Sequence, residues 1–190
     1  MTMNKKLVQQ NCFKKHSDKS RKKAVTFVAA LFLLLLYLII FDFSGQDGEK
    51  SGGISRKVTI KCVEVVDNVA NKNWTVAIKE RLAELWEVPV RKCAHFMEYA
   101  CMGMLVYIMW RPWKERDKKL FLLVALWVFL SATGDEIHQT FVPGRDGNFR
   151  DVLLDTAGGC FGLIVCVMGE KLVEKRLSGR NLKKKQRAQH

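Results

Sequence analysis

Residues Ala24–Phe41 read AVTFVAALFLLLLYLIIF, 18 residues without a charge. A hydrocarbon core of about 30 Å needs roughly 20 such residues in a helix, so the stretch reads as a membrane span. A surface helix would gather its apolar residues on one face, whereas here they run all the way round. A cleaved signal peptide is the competing reading. Against it, the run is long for one, and the FDFSGQDG that follows (Phe41–Gly48) offers no A-x-A-type cleavage site. An uncleaved anchor fits better, and it sets the class as an all-α integral membrane protein.

Three further apolar segments lie downstream. Cys93–Trp110 reads CAHFMEYACMGMLVYIMW and contains His95 and Glu98. Leu120–Gly134 is uncharged and ends against Asp135, and Val152–Gly169 contains Asp155. The expected architecture is therefore a four-helix membrane bundle over residues 24–169, with spans at about 24–43, 93–111, 119–135 and 152–169. Basic tails, 1–23 and 170–190, flank it and are expected to be disordered. Two spans followed by a soluble C-terminal domain is the alternative.

The net charge of +13 sits mainly beside the apolar runs. Eight lysines and arginines precede Ala24, five lie between Arg111 and Lys119, and eight follow Gly169. The segment Glu136–Asp151 has only Arg145 and Arg150. Short basic flanks stay cytoplasmic, so both termini are expected inside and the 44–92 and 136–151 loops outside. Basic residues placed this way set topology and meet anionic lipid, and nucleic-acid binding is not expected. The six cysteines show no C-x-x-C pair and no zinc-like spacing; those in the spans suit small apolar helix contacts.

The outer loop is patterned. Trp74, Ile78, Leu82, Leu85 and Trp86 fall on or near one helical face, opposite Lys79, Glu80, Arg81 and Glu84. One or two amphipathic helices are expected, on the membrane surface or capping the bundle, with Pro89 ending the pattern.

With this topology, three segments deliver ionisable side chains to the outer ends of the spans. Arg91, His95 and Glu98 stand at i, i+4 and i+7; Asp135 and Gln139 stand four apart, as do Asp151 and Asp155. A charge facing lipid near the bilayer centre costs about 2.5–3.5 kcal/mol, which inward facing largely removes. Glu98 and Asp155 lie deepest and need partners most, with Arg91, Arg145 or a histidine as counter-ion. The turn dipeptides Pro143-Gly144 and Asp146-Gly147 hold Arg145 between them, so that it can reach back over the helix ends. Gly158 and Gly162, four apart, invite close approach of another helix. Lys92, Glu136 and Arg150, taken singly, read as headgroup anchors.

These same residues carry a resemblance. R-K-C-A-H-F-x-E-Y from Arg91, D-E-I-H-Q-x-F-V-P-G-R-D-G from Asp135 and D-V-L-L-D-T-x-G-G from Asp151 resemble the VanZ-like family, and Phe43-Ser44 fits as well. The likeness covers about residues 25–170. It implies a multi-pass protein of the bacterial cell membrane with four spans and, as for the founding member, low-level resistance to teicoplanin, a glycopeptide acting on cell-wall precursors. Asp155 departs from the pattern, since many relatives carry asparagine there, which favours a hydrogen-bonding role.

Three functions are carried forward. In the first, Arg91, His95, Glu98, Asp135, Gln139, Arg145, Asp151 and Asp155 line an outward pocket for an envelope-lipid headgroup, a lipid-linked cell-wall precursor or a lipoglycopeptide, with no cofactor. In the second, Glu98 or Asp135 is the general base of an intramembrane enzyme, with His95 or His138 as partner. No serine or cysteine nucleophile sits among them, Ser131 and Cys101 lying deeper; a metal version would use His95, Glu98, Asp135 and His138. The third is a small transporter, against which the inner halves of the spans read as free of polar residues.

Overall fold

The computed structural model describes residues 2–46 and 48–187, with side chains placed for residues 17–46, 53 and 55–180. The fold is all-α, as expected, with 85% of it helical and no strand among the described residues. Helix α1 spans Thr2–Ser44, α2 Gly48–Ala70, α3 Val76–Trp110, α4 Lys118–Gln139 and α5 Phe149–Arg187. The backbone of the basic tails continues α1 and α5 instead of running irregularly, in keeping with the high helix propensity of lysine, arginine and glutamine. Cys12 lies outside the described side chains.

Among the described residues, three helices are long and apolar enough to cross a membrane: Ser17–Ser44, Lys118–Gln139 and Phe149–Arg180. Their outward rows, Phe27, Leu34, Leu38, Leu122, Leu130 and Met168 among them, stay exposed, which suits a hydrocarbon surrounding. The second half of α3, expected as a span, is not among the three. It is instead the enclosed helix: Tyr99, Ala100, Met102, Gly103, Val106 and Tyr107 are all buried, and α3 packs on α1, α2, α4 and α5. A helix shielded by neighbours can carry His95 and Glu98 where a lipid-facing one could not.

The α3–α5 interface is the most extensive, and glycines make it so. A Cβ on Gly158 would strike the Phe96 carbonyl, one on Gly162 the Ala100 carbonyl, and one on Gly103 the backbone of Gly159. The two helices therefore meet backbone to backbone, as the small-residue spacing predicts. Beside the glycines, Val128 and Val152 join a buried cluster with Tyr99, Met102 and Val106.

Pro89 does not end the amphipathic helix: α3 runs through it from Val76 to Trp110. Proline's fixed φ is compatible with a helix, and the bond it cannot make, to the Leu85 carbonyl, falls on an exposed stretch. The surface helix and the expected second span are thus one rod. Helix α2 folds back on it through a turn in which Asn71 and Asn73 take φ of 49° and 52°. Asp67 locks that turn, accepting the Trp74 N–H at 3.0 Å and pairing with Lys79 at 2.7 Å. The hydrogen bond from Lys79 holds the Asp67 carboxyl below its usual range, and the Trp74 N–H acts the same way.

Candidate functional site

The last turns of α1 and α4, the first of α5 and the middle of α3 meet at one end of the molecule. Gln139 ties two of them, donating to Ser44 Oγ at 2.9 Å and to Asp135 Oδ2 at 3.1 Å. Lys92 of α3 pairs with Asp151 of α5 at 2.5 Å. The α4–α5 loop folds over the top. Glu136 accepts the Asn148 N–H at 2.7 Å, and Asn148 in turn caps α5 by accepting from Arg150 N at 3.0 Å. Gly147 lies so close to the Glu136 carbonyl and the Thr140 methyl that a Cβ would sit 2.6 Å from each. Gly144, at φ 74°, takes the left-handed conformation that a side chain disfavours. Arg145, held between them, reaches back to donate to the Phe43 carbonyl of α1 at 3.0 Å.

Under this loop lies a chamber of about 260 Å³. Arg91, His95, Gln139, Arg145, Asp151 and Asp155 line it, together with Lys92, Glu136 and Asp146. Its floor is the carboxyl of Asp155, 2% exposed, whose Oδ1 meets no hydrogen-bond partner. Among the lining groups the Arg91 Nε and His95 Nδ1 also lack hydrogen-bond partners. Burial lowers the Arg145 guanidinium from its ordinary pKa and Arg91 adds to that, while Asp135 and Glu136 oppose it.

The eight residues expected in one pocket are brought to one end but divided among three hollows. Glu98 lines a neighbouring cavity of about 220 Å³ against α1 and α2, with Arg91, His95 and Arg145 shared as the partition. Asp135 faces a third cavity between α1 and α4. The reason is helical pitch: successive residues turn by about 100°, so Glu136 faces the chamber and Asp135 turns away from it. Of the anticipated counter-ions, a histidine is the one beside Glu98, while Arg91 is engaged elsewhere. Arg91 bonds Glu87 one turn back at 3.0 Å, and Glu98 has His95 Nδ1 at 3.6 Å. Lys92 and Glu136, read singly as anchors, instead hold the chamber's walls.

The set His95, Glu98, Asp135 and His138 does not converge. His138 turns toward α1, stacking on Phe41 with ring centroids 4.7 Å apart, and among the described residues no group of three or more histidine, cysteine and acidic side chains is placed to hold a metal ion. The chamber lining has no serine, threonine or cysteine, so its chemistry is that of charge and hydrogen bonds.

A family model described as VanZ/LLP1 matches residues 27–170, which takes in every residue of the chamber. The chain belongs to the VanZ/LLP1 family. No curated protein and no solved structure matches it.

This VanZ/LLP1 chain has a second polar cluster that the sequence reading passed over, at the opposite end of the helices. Glu170 Oε2 accepts from Tyr107 at 3.0 Å, Arg111 at 3.1 Å and Arg116 at 3.3 Å, and Arg116 also pairs with Glu174 at 3.3 Å. Thr26 donates to the Met109 carbonyl at 3.1 Å and accepts from the Trp113 indole at 2.6 Å. The inner halves of the apolar runs are therefore not free of polar groups. An acid directly after Gly169, at the head of a lysine-rich tail, was the available signal. Tyr99 and Tyr37, polar atoms inside apolar runs, were the others.

Proposed function

We propose that this VanZ/LLP1 protein crosses the membrane four times as a helix bundle, with both termini cytoplasmic and the chamber facing outward. There it binds an anionic group on a lipid-tailed molecule, either an envelope-lipid headgroup or a lipoglycopeptide of the teicoplanin type, and so contributes to envelope homeostasis or to glycopeptide resistance. Three helices of sufficient length and hydropathy and the distribution of lysine and arginine support the topology. The second half of α3, shielded on several sides, is the fourth crossing.

The observation that carries the binding reading is the placement of Arg145. A tight loop holds its guanidinium over a hollow of about 260 Å³ that also presents Arg91 and Lys92. A planar guanidinium matches phosphate or carboxylate with two parallel hydrogen bonds, which an ammonium cannot do. The carboxylates beneath it position hydroxyl or amine groups of the same ligand.

Arg145→Ala and Arg145→Lys, expressed to wild-type levels, test this. Teicoplanin protection should fall at least about tenfold in the alanine variant and only partly recover with lysine, as expected for loss of about 1.5–3 kcal/mol of charge-assisted bonding. Unchanged susceptibility in correctly inserted Arg145→Ala removes the chamber from the function.

A further inference from the structure

On the far side of the Gln139–Asp135 wall lies a hollow of about 520 Å³ between α1 and α4. Tyr37, Ile40 and Phe41 form one side, Trp127 to His138 of α4 the other, and Tyr99 of α3 the back. Along α4 this is roughly 16 Å, at 1.5 Å per residue. Its upper end is closed by the Phe41–His138 stack and by Gln139 bonded to Ser44. At its deep end the Tyr37 and Ser131 hydroxyls touch, and the Trp127 indole donates to Tyr37 at 3.0 Å. Helices α1 and α4 touch each other far less than either touches α3, so the slot is open sideways.

Two features ask for an occupant. Tyr99 is fully buried in the back wall, yet its hydroxyl meets no hydrogen-bond partner. Gly134 stands on the slot's rim inside α4, and a Cβ there would meet nothing within 4 Å. Glycine weakens a helix interior relative to alanine. Gly158 and Gly162 make room for a neighbouring backbone; Gly134 makes room for nothing in the protein.

Outside this seam is the hydrocarbon face of two membrane-spanning helices, so whatever enters sideways is a hydrocarbon chain. We infer that the α1–α4 slot holds one acyl chain of a membrane lipid, with the Tyr99 hydroxyl donating to the chain's ester carbonyl. The chain's headgroup end rests on the binding reading proposed above, because Asp135 and Gln139 stand between slot and chamber. The slot itself rests on the α1–α4 geometry alone.

The test uses the full chain in nanodiscs containing trace phosphatidylglycerol, or phosphatidylcholine, with a diazirine in one acyl chain; adducts are mapped by peptide mass spectrometry. Adducts at Tyr37 and Ser131 should exceed those at the outward-facing Phe32 and Leu122 at least about tenfold, the ratio given by a 1.4 kcal/mol preference. Gly134→Leu should abolish that excess without altering labelling at Phe32 and Leu122 or thermal unfolding. Tyr99→Phe, which keeps the ring, should lower the excess about fivefold, the worth of one hydrogen bond of about 1 kcal/mol. Uniform labelling, or an excess that survives both variants, overturns the slot. The two lipids separate this from the chamber. A slot excess equal for both headgroups supports the slot and counts against an anionic headgroup site, whereas uniform labelling with a phosphatidylglycerol preference sinks the slot and leaves the chamber.

Discussion

The two ends of the helix array both gather charge, and they do so in opposite ways. At the Glu170 end, one carboxylate receives Tyr107, Arg111 and Arg116, and Arg116 is further paired with Glu174. Among the described residues that end leaves a single buried polar atom without a hydrogen bond, the Trp110 indole nitrogen. At the chamber end, Asp155 Oδ1, His95 Nδ1 and Arg91 Nε are all buried without one, around a hollow. Buried polar groups are normally paired, because an unmade bond costs more than a made one returns. An end whose charges satisfy one another holds the helices in register. An end that leaves buried polar atoms unbonded beside a hollow is where the proposed ligand would sit. On that reading the same residue types serve structure or binding according to whether the protein itself completes their bonds.

The sharpest way to break this comparison is to separate the helices that carry both ends. Gly162→Leu would drive a side chain into the Ala100 backbone. It should cost at least about 3 kcal/mol, at the upper end of overpacking penalties. Unfolding of the purified protein in denaturing detergent would show it, with protection lost as well. Wild-type stability would mean that the α3–α5 glycines do not align the two ends. Next in size, Glu170→Ala strands Arg111, Arg116 and Tyr107 without their shared acceptor. With the carboxylate 31% exposed, the expected loss is about 2 kcal/mol, with ligand protection retained in whatever fraction stays folded. Loss of protection without loss of stability would contradict a purely structural role for that end.

Much of the fold could be read directly from the chain, because long apolar runs and glycine spacing are one-dimensional signals. Ala24–Phe41, Leu120–Gly134 and Gly158/Gly162 meant in sequence what they do in space. Pro89 did not, since a proline's effect depends on whether the carbonyl it strands is exposed. The ionisable residues were brought to one end by the order of the spans, but their allotment among three hollows depends on helix rotation. A few tens of degrees decide whether Asp135 or Glu136 faces the chamber, and no spacing rule fixes that. The Tyr99 hydroxyl and the Glu170 hub escaped for a related reason: each is defined by what neighbouring helices bring to it.

The finest test of the contrast is at Asp155, where the chamber's own buried carboxyl should cost stability. The carboxyl is 2% exposed and its Oδ1 is unbonded, so its replacement removes a desolvated acceptor. Leaving a buried polar atom without a hydrogen bond costs free energy that an apolar side chain does not. Asp155→Leu should therefore leave stability within about 1 kcal/mol of wild type, or raise it, while lowering protection at least tenfold. Asp155→Asn keeps the hydrogen-bonding shape without the charge and should stay close to wild type in both respects. The decisive measurement is the sign of the change against Glu170→Ala in the same unfolding assay. If Asp155→Leu destabilises as Glu170→Ala does, Asp155 is a structural acceptor like Glu170, and the two ends differ in place only. If it holds stability and loses protection, the chamber's unmade bonds are the ones a ligand completes.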